Sequence, residues 1–168
     1  FVGHGIVAPE YEWNDYAGLD VKGKVVAVMV NDPGLHDSTT FKGKVLTYYA
    51  RWTYKFEEAA RQGAVGVLLI HTEESATYPW GTVEGSATGR QVRLESAPTS
   101  LTVTGWVQRD VMARAFTAAG ADLDQAMAEA GKRGFVGSEL SIRVAASVRS
   151  TMTRTEIFNV LGRLPGNG

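Results

Sequence analysis

Three histidines, His4, His36 and His71, are the side chains of this sequence best suited to move protons near neutral pH. They stand far apart in dissimilar contexts. No His-Glu-x-x-His occurs, nor any other pair at metal-ligand spacing. His71 follows a run that reads as a buried strand, where α/β sheets often carry functional groups. The plainer account gives it a backbone partner at the strand end. His36, beside Asp37 in a polar turn, reads as solvated. Serine chemistry has no better footing. Gly85-Ser86-Ala87-Thr88-Gly89 sets its serine directly after the first glycine, inside a long loop, so it makes no nucleophile elbow. Gly3-His4-Gly5 lacks a following helix, which excludes a dinucleotide loop, and no Walker-type loop is present.

Charged residues offer little more. The acidic group Glu10, Glu12, Asp15 and Asp20 lacks the spacing of a calcium loop and reads as solvated turns. Asn31-Asp32 before Pro33-Gly34 is explained by turn chemistry. Arg51 and Lys55, one helical turn apart, could clasp an anion, although a wet helix face accounts for them as well. The expectation is a chain with no catalytic residue and no metal ligand of its own.

Composition narrows the classes further. The 168 residues include 17 Lys and Arg against 18 Asp and Glu, a net charge of −1, without a basic block that would mark a nucleic-acid partner. Zero cysteines exclude disulfides, thiolate metal sites and a cysteine nucleophile. No apolar run approaches the ~20 residues that span a bilayer. The 19 glycines exceed the roughly 7% of average usage and point to turns. The chain opens on Phe1 with no basic-then-apolar leader and closes on Pro165-Gly166-Asn167-Gly168 after a strand-like run. Both ends therefore read as cuts through a longer polypeptide.

The elements follow from apolar periodicity. Residues 25–30 and 64–70 read as buried strands, joined by a long connection over 31–47 and a helix over 48–62. That helix carries Trp52, Phe56, Ala59 and Ala60 on one stripe, a Glu57–Arg61 pair, and Gly63 as its stop. Residues 73–97 show no sustained period and read as a long loop, a length that is usually functional or mobile. A third strand is predicted over 98–104 and a helix over 109–119 closed by Gly120. A second helix begins at Asp122, with Gln125 imitating a capping box. From Ser138 the period becomes two, which predicts an antiparallel strand over 138–149 and a partner run over 157–164. Such a ribbon would leave an edge for the rest of the polypeptide to cover.

Three segments carry a resemblance. Gly5-Ile-Val-Ala-Pro-Glu-Tyr11, Trp13-Asn-Asp-Tyr-Ala-Gly-Leu-Asp20 and Lys22-Gly-Lys-Val-Val26 resemble the opening of protease-associated domains inserted in bacterial zinc aminopeptidases of the transferrin-receptor-like metallopeptidase family. Lys55, Ala59, Ala60 and Gly63-Ala64-Val65-Gly66-Val67 are similar to that domain's central signature. Asn159-Val-Leu-Gly-Arg-Leu-Pro-Gly166 resembles the junction at which such peptidases re-enter their catalytic domain. These matches span most of the chain, apart from residues 73–97 and 122–137. The resemblance implies an α/β fold with a mixed, curved, barrel-like sheet flanked by two or three helices and closed by the C-terminal ribbon. It implies a protease-associated domain over residues 1–164, with 165–168 starting the junction. It implies a dizinc aminopeptidase as parent, secreted or periplasmic, with the zinc ligands on a catalytic domain outside this chain and no cofactor within it. Lys55, Gly63, Ala64 and Gly66 would then be structural. The expected partners are that catalytic domain and a peptide substrate, with no nucleic acid and no membrane span.

Within this expectation, Tyr78 and Trp80 in the long loop are candidate substrate or partner contacts, since aromatics in a polar loop serve well as anchors. The competing account is that Trp80 only pins the loop to its own domain. Two other readings stay open: a self-contained peptide- or sugar-binding module using the same loop and Trp13, and an independent hydrolase resting on His71.

Overall fold

The computed structural model describes residues 1–92, 101–149 and 151–166. A short antiparallel ladder, β1 (Val7–Ala8) with β2 (Trp13–Asn14), precedes a three-stranded parallel sheet. That sheet comprises β3 (Val25–Met29), β4 (Gly66–His71) and β5 (Val103–Gln108), in the order β3-β4-β5. Helix α1 (Trp52–Arg61) crosses from β3 to β4, and the short helices α2 (Glu73–Ala76) and α3 (Trp80–Ala87) precede β5. Helices α4 (Arg109–Ala118) and α5 (Leu123–Ala130) follow it.

Period-two alternation divides the strand side chains between two cores. Val26, Val28, Val67 and Leu69 pack with Ala59 and Phe56 of α1. Met29, Ile70, Ala27 and Leu68 pack with Met112, Phe116 and Leu123 of α4 and α5. Covered on both faces, β3 and β4 read as nearly continuous apolar runs, the usual signature of parallel strands. The outer edge of β3 is occupied by the N-terminal segment: Val2 N–H donates to the Ala27 carbonyl at 3.1 Å and Met29 N–H to that of Gly3 at 2.7 Å.

Several expectations hold with shifted limits. Asp122 accepts from Gln125 N–H at 2.9 Å and caps α5, and Gly63 takes φ +83° just past α1. The third strand begins at Val103; residues 98–100 of the expected span lie outside the described residues. The helix expected over 48–62 is a 3-10 turn, Tyr48–Ala50, separated from α1 by Arg51 at φ −69° and ψ 136°. Its buried face is Tyr54, Lys55, Glu58 and Ala59, in place of the apolar stripe, and Trp52 stays 45% exposed. Glu57 accepts from the Tyr48 hydroxyl, so Arg61 pairs with Glu58 and not with Glu57.

Two expectations need correcting. The segment from residue 73 carries two short helices, α2 and α3, because Thr72 caps Ser75 N–H and Pro79 starts a second turn; residues 93–97 lie outside the described residues. The C-terminal ribbon does not form among the described residues. Ser138 N–H donates to the Phe1 carbonyl and Lys24 pairs with Glu139, but residues 140–149 and 151–166 carry no strand. Period two signals a strand with one face meant for burial; it does not supply the surface. Val148, Phe158, Val160, Leu161 and Leu164 are accordingly 87–99% exposed. Among the described residues no strands close into a barrel: the parallel sheet is open, with helices on both faces.

Candidate functional site

The ionisable groups gather beneath the carboxyl end of β3. Lys55, fully buried on α1, donates from Nζ to the Asn31 carbonyl at 2.8 Å. His4 Nδ1 lies 3.1 Å from the same oxygen. A carbonyl only accepts, so Nδ1 carries the proton and Nε2 keeps a lone pair. That Nε2 and the Tyr16 hydroxyl are buried without a hydrogen-bond partner among the described residues. Asn31 holds this carbonyl in place with φ 72°, a left-handed conformation that asparagine tolerates better than most residues. Its amide oxygen accepts from Asp32 N–H at 2.8 Å.

Two carboxylates complete the cluster. Asp15 accepts from Ile6 N–H at 2.9 Å and from the Trp13 indole at 2.7 Å, tying the β1–β2 ladder to its base. Asp32 accepts from Gly34 N–H at 3.0 Å and from the Thr47 hydroxyl at 2.6 Å, so one carboxylate clasps both ends of the connection over 33–47. Asp15 and Asp32 supply the negative charge that holds a buried ammonium here. Burial lowers Lys55 and raises Asp15, each opposed by the other's charge. Burial, aided by the Lys55 charge, lowers His4 to about 3, so its imidazole stays neutral.

The structure thus corrects three sequence readings. Lys55 does not share a wet face with Arg51: it is buried, and Arg51 is exposed. Asp15 is not a solvated turn residue, although Glu10, Glu12 and Asp20 are exposed. Asn31-Asp32 does make a turn, but a buried one, bonded to side chains and backbone from His4, Lys55, Thr47, Ala50 and Ser75 as well as to the turn itself. His4 carried no sequence signal beyond two flanking glycines, which here take φ 53° and 61°. The one available hint was Lys55 on the same helical face as Ala59, a small residue that meets the sheet.

A cleft of about 550 Å³ opens above this cluster, at the carboxyl ends of β3 and β4. Tyr48, Trp52 and Tyr78 line it, with Arg51, Ser75 and Thr77. Tyr78 and Trp80 do come together, around His71. His71 Nε2 donates to the Tyr78 carbonyl at 3.0 Å, the strand-end backbone partner expected of it. Trp80 meets the His71 ring edge-on at 5.4 Å and donates its indole N–H to Glu84 at 2.7 Å. Both aromatics are half-buried, and only Tyr78 lines the cleft. His36 is exposed, 3.7 Å from Glu74. Gly66 lets β4 approach β5: a Cβ there would lie 2.9 Å from the Val103 carbonyl oxygen.

Among the described residues no three His, Asp or Glu side chains are grouped to hold a metal ion, and no helix is long and apolar enough to cross a membrane. Comparison of the chain with protein-family models, with curated proteins and with solved structures finds no match.

Proposed function

We propose that this chain is a non-catalytic accessory domain of a longer dizinc aminopeptidase, of the protease-associated kind that its motifs resemble. The observation that carries the reading is the use made of Lys55. Its ammonium is sealed against the Asn31 carbonyl between Asp15 and Asp32, so the signature residue serves the fold and does not line the cleft beside Tyr78. Gly63 and Gly66 serve it likewise, one as a left-handed stop and one as a point of close strand approach. The exposed apolar residues of 148–164 fit a segment that pairs on a neighbouring catalytic domain, and in this reading that pairing completes a curved, barrel-like sheet. The parent would be exported, with its zinc ligands on the catalytic domain.

A second reading, a self-contained binding module for peptides or sugars, is favoured by the cleft beside Tyr78. Metal analysis tests the first. The longer protein should carry two zinc ions per chain and this chain none; stoichiometric zinc in this chain alone would contradict the proposal.

A further inference from the structure

We propose that the cleft above Asn31 binds the free C-terminal carboxylate of an apolar peptide, with Arg51 as its counter-ion. The inference gives an occupant to the cleft that favours the binding-module reading, and rests on the accessory-domain reading only for the peptide being a substrate or product. Of the residues lining the cleft, Arg51 alone is ionised, and no carboxylate shares the wall. Arg51 makes no ion pair among the described residues, and its side chain is exposed. A guanidinium fork without a partner, set among aromatic rings, matches a carboxylate attached to an apolar body. The volume of about 550 Å³ suits one or two residues.

The rest of the wall selects among such carboxylates. Tyr48 (57% exposed), Trp52 (45% exposed) and half-buried Tyr78 offer ring faces to an apolar side chain. Ser75 and Thr77 add hydrogen-bonding groups that a peptide amide can use and a fatty acid cannot. The wall is fixed from beneath, because Thr47 is held by Asp32, and the carbonyls of Ala50 and Ser75 accept from Asn31, itself held by Lys55 and His4. A site built on fixed elements avoids part of the ordering entropy of binding.

The test follows backbone amide and Trp52 indole NMR shifts of this chain during titration. The probes are N-acetyl-alanyl-phenylalanine as the free acid, the same dipeptide as its C-terminal amide, and octanoate. The free acid should give saturable shifts confined to residues 47–52 and 75–78, at least tenfold tighter than the amide and tighter than octanoate. Arg51→Gln should weaken the acid at least tenfold and leave the amide unchanged. Its side chain makes no bond within the described fold, so the variant should fold. Equal binding of acid and amide, an unaffected Arg51→Gln variant, or shifts elsewhere would overturn the proposal. Octanoate binding as tightly as the peptide acid would reassign the cleft to lipid-like carboxylates and overturn it too. None of these readouts involves zinc or hydrolysis, so a failure here is separate from a failure of the accessory-domain reading.

Discussion

Lys55 and His4 donate to a single acceptor: the Asn31 carbonyl oxygen receives Nζ at 2.8 Å and Nδ1 at 3.1 Å. One comes from the helix between β3 and β4 and the other from the N-terminal segment. The oxygen they share belongs to the left-handed residue just past β3. This junction is where N-terminal segment, sheet and crossover helix meet.

The neutral imidazole of His4 makes acid destabilising. Its folded pKa is lowered to about 3, against roughly 6.5 in the unfolded chain. Between those values the unfolded state binds one more proton, so stability rises with pH and is lost as pH falls from 6.5 toward 3. His4→Asn, which keeps a donor near Nδ1 and cannot titrate, should remove about 1.4 kcal/mol per pH unit from that slope. Urea midpoints of both proteins at pH 4, 5 and 6 read it directly. Parallel slopes would place His4 in water.

Removing the buried ammonium should be costly because it leaves carboxylates uncompensated. Lys55→Met is expected to destabilise by about 3–5 kcal/mol. Adding Asp15→Asn should return part of that loss, since the double variant buries one charge fewer. A double-mutant cycle from chemical denaturation measures the coupling; additive effects would show that the two groups do not sense each other.

The Asp32 clasp makes a prediction about the connection it closes. Thr47→Val removes one charge-assisted bond at 2.6 Å and should cost about 1.5–3 kcal/mol of local stability. Trypsin should then cut faster after Lys42 and Lys44, both exposed. An unchanged cleavage rate would mean the clasp does not hold the loop.

Two glycines should respond with opposite signs. Gly66→Ala places a Cβ 2.9 Å from the Val103 carbonyl oxygen and 3.2 Å from Val25, which should destabilise by about 1–3 kcal/mol. Gly81 lies in α3 with nothing within 4 Å of an added Cβ, so Gly81→Ala should stabilise by about 0.5–1 kcal/mol. Thermal melts of the two variants decide it.

Much of the architecture was legible because it depends on local pattern. The runs at 25–30 and 64–70, the stop at Gly63 and the cap at Asp122 each report a backbone requirement within a few residues. The buried cluster was not legible, because His4, Asp15, Asn31 and Lys55 are brought together by tertiary packing and each has a bland local explanation. Lys55 on an otherwise mixed helix face resembles a solvated lysine until the face it shares with Ala59 is known to meet the sheet. The alternation over 138–149 is plain in the sequence, but period two specifies a buried face and not its partner, and no pair forms among the described residues. The helices around Tyr78 and Trp80 are not legible in the sequence, because turns of four and eight residues leave little periodicity.

The most direct test of the central claim, that this chain's chemistry-capable residues serve structure and binding and not turnover, is a hydrolysis assay on an aminoacyl-nitroanilide panel. This chain and the longer peptidase proposed as its parent would be compared with and without zinc. The account predicts no turnover by this chain under any condition and zinc-dependent turnover by the longer protein. Turnover by this chain alone, abolished in His71→Ala, would contradict it.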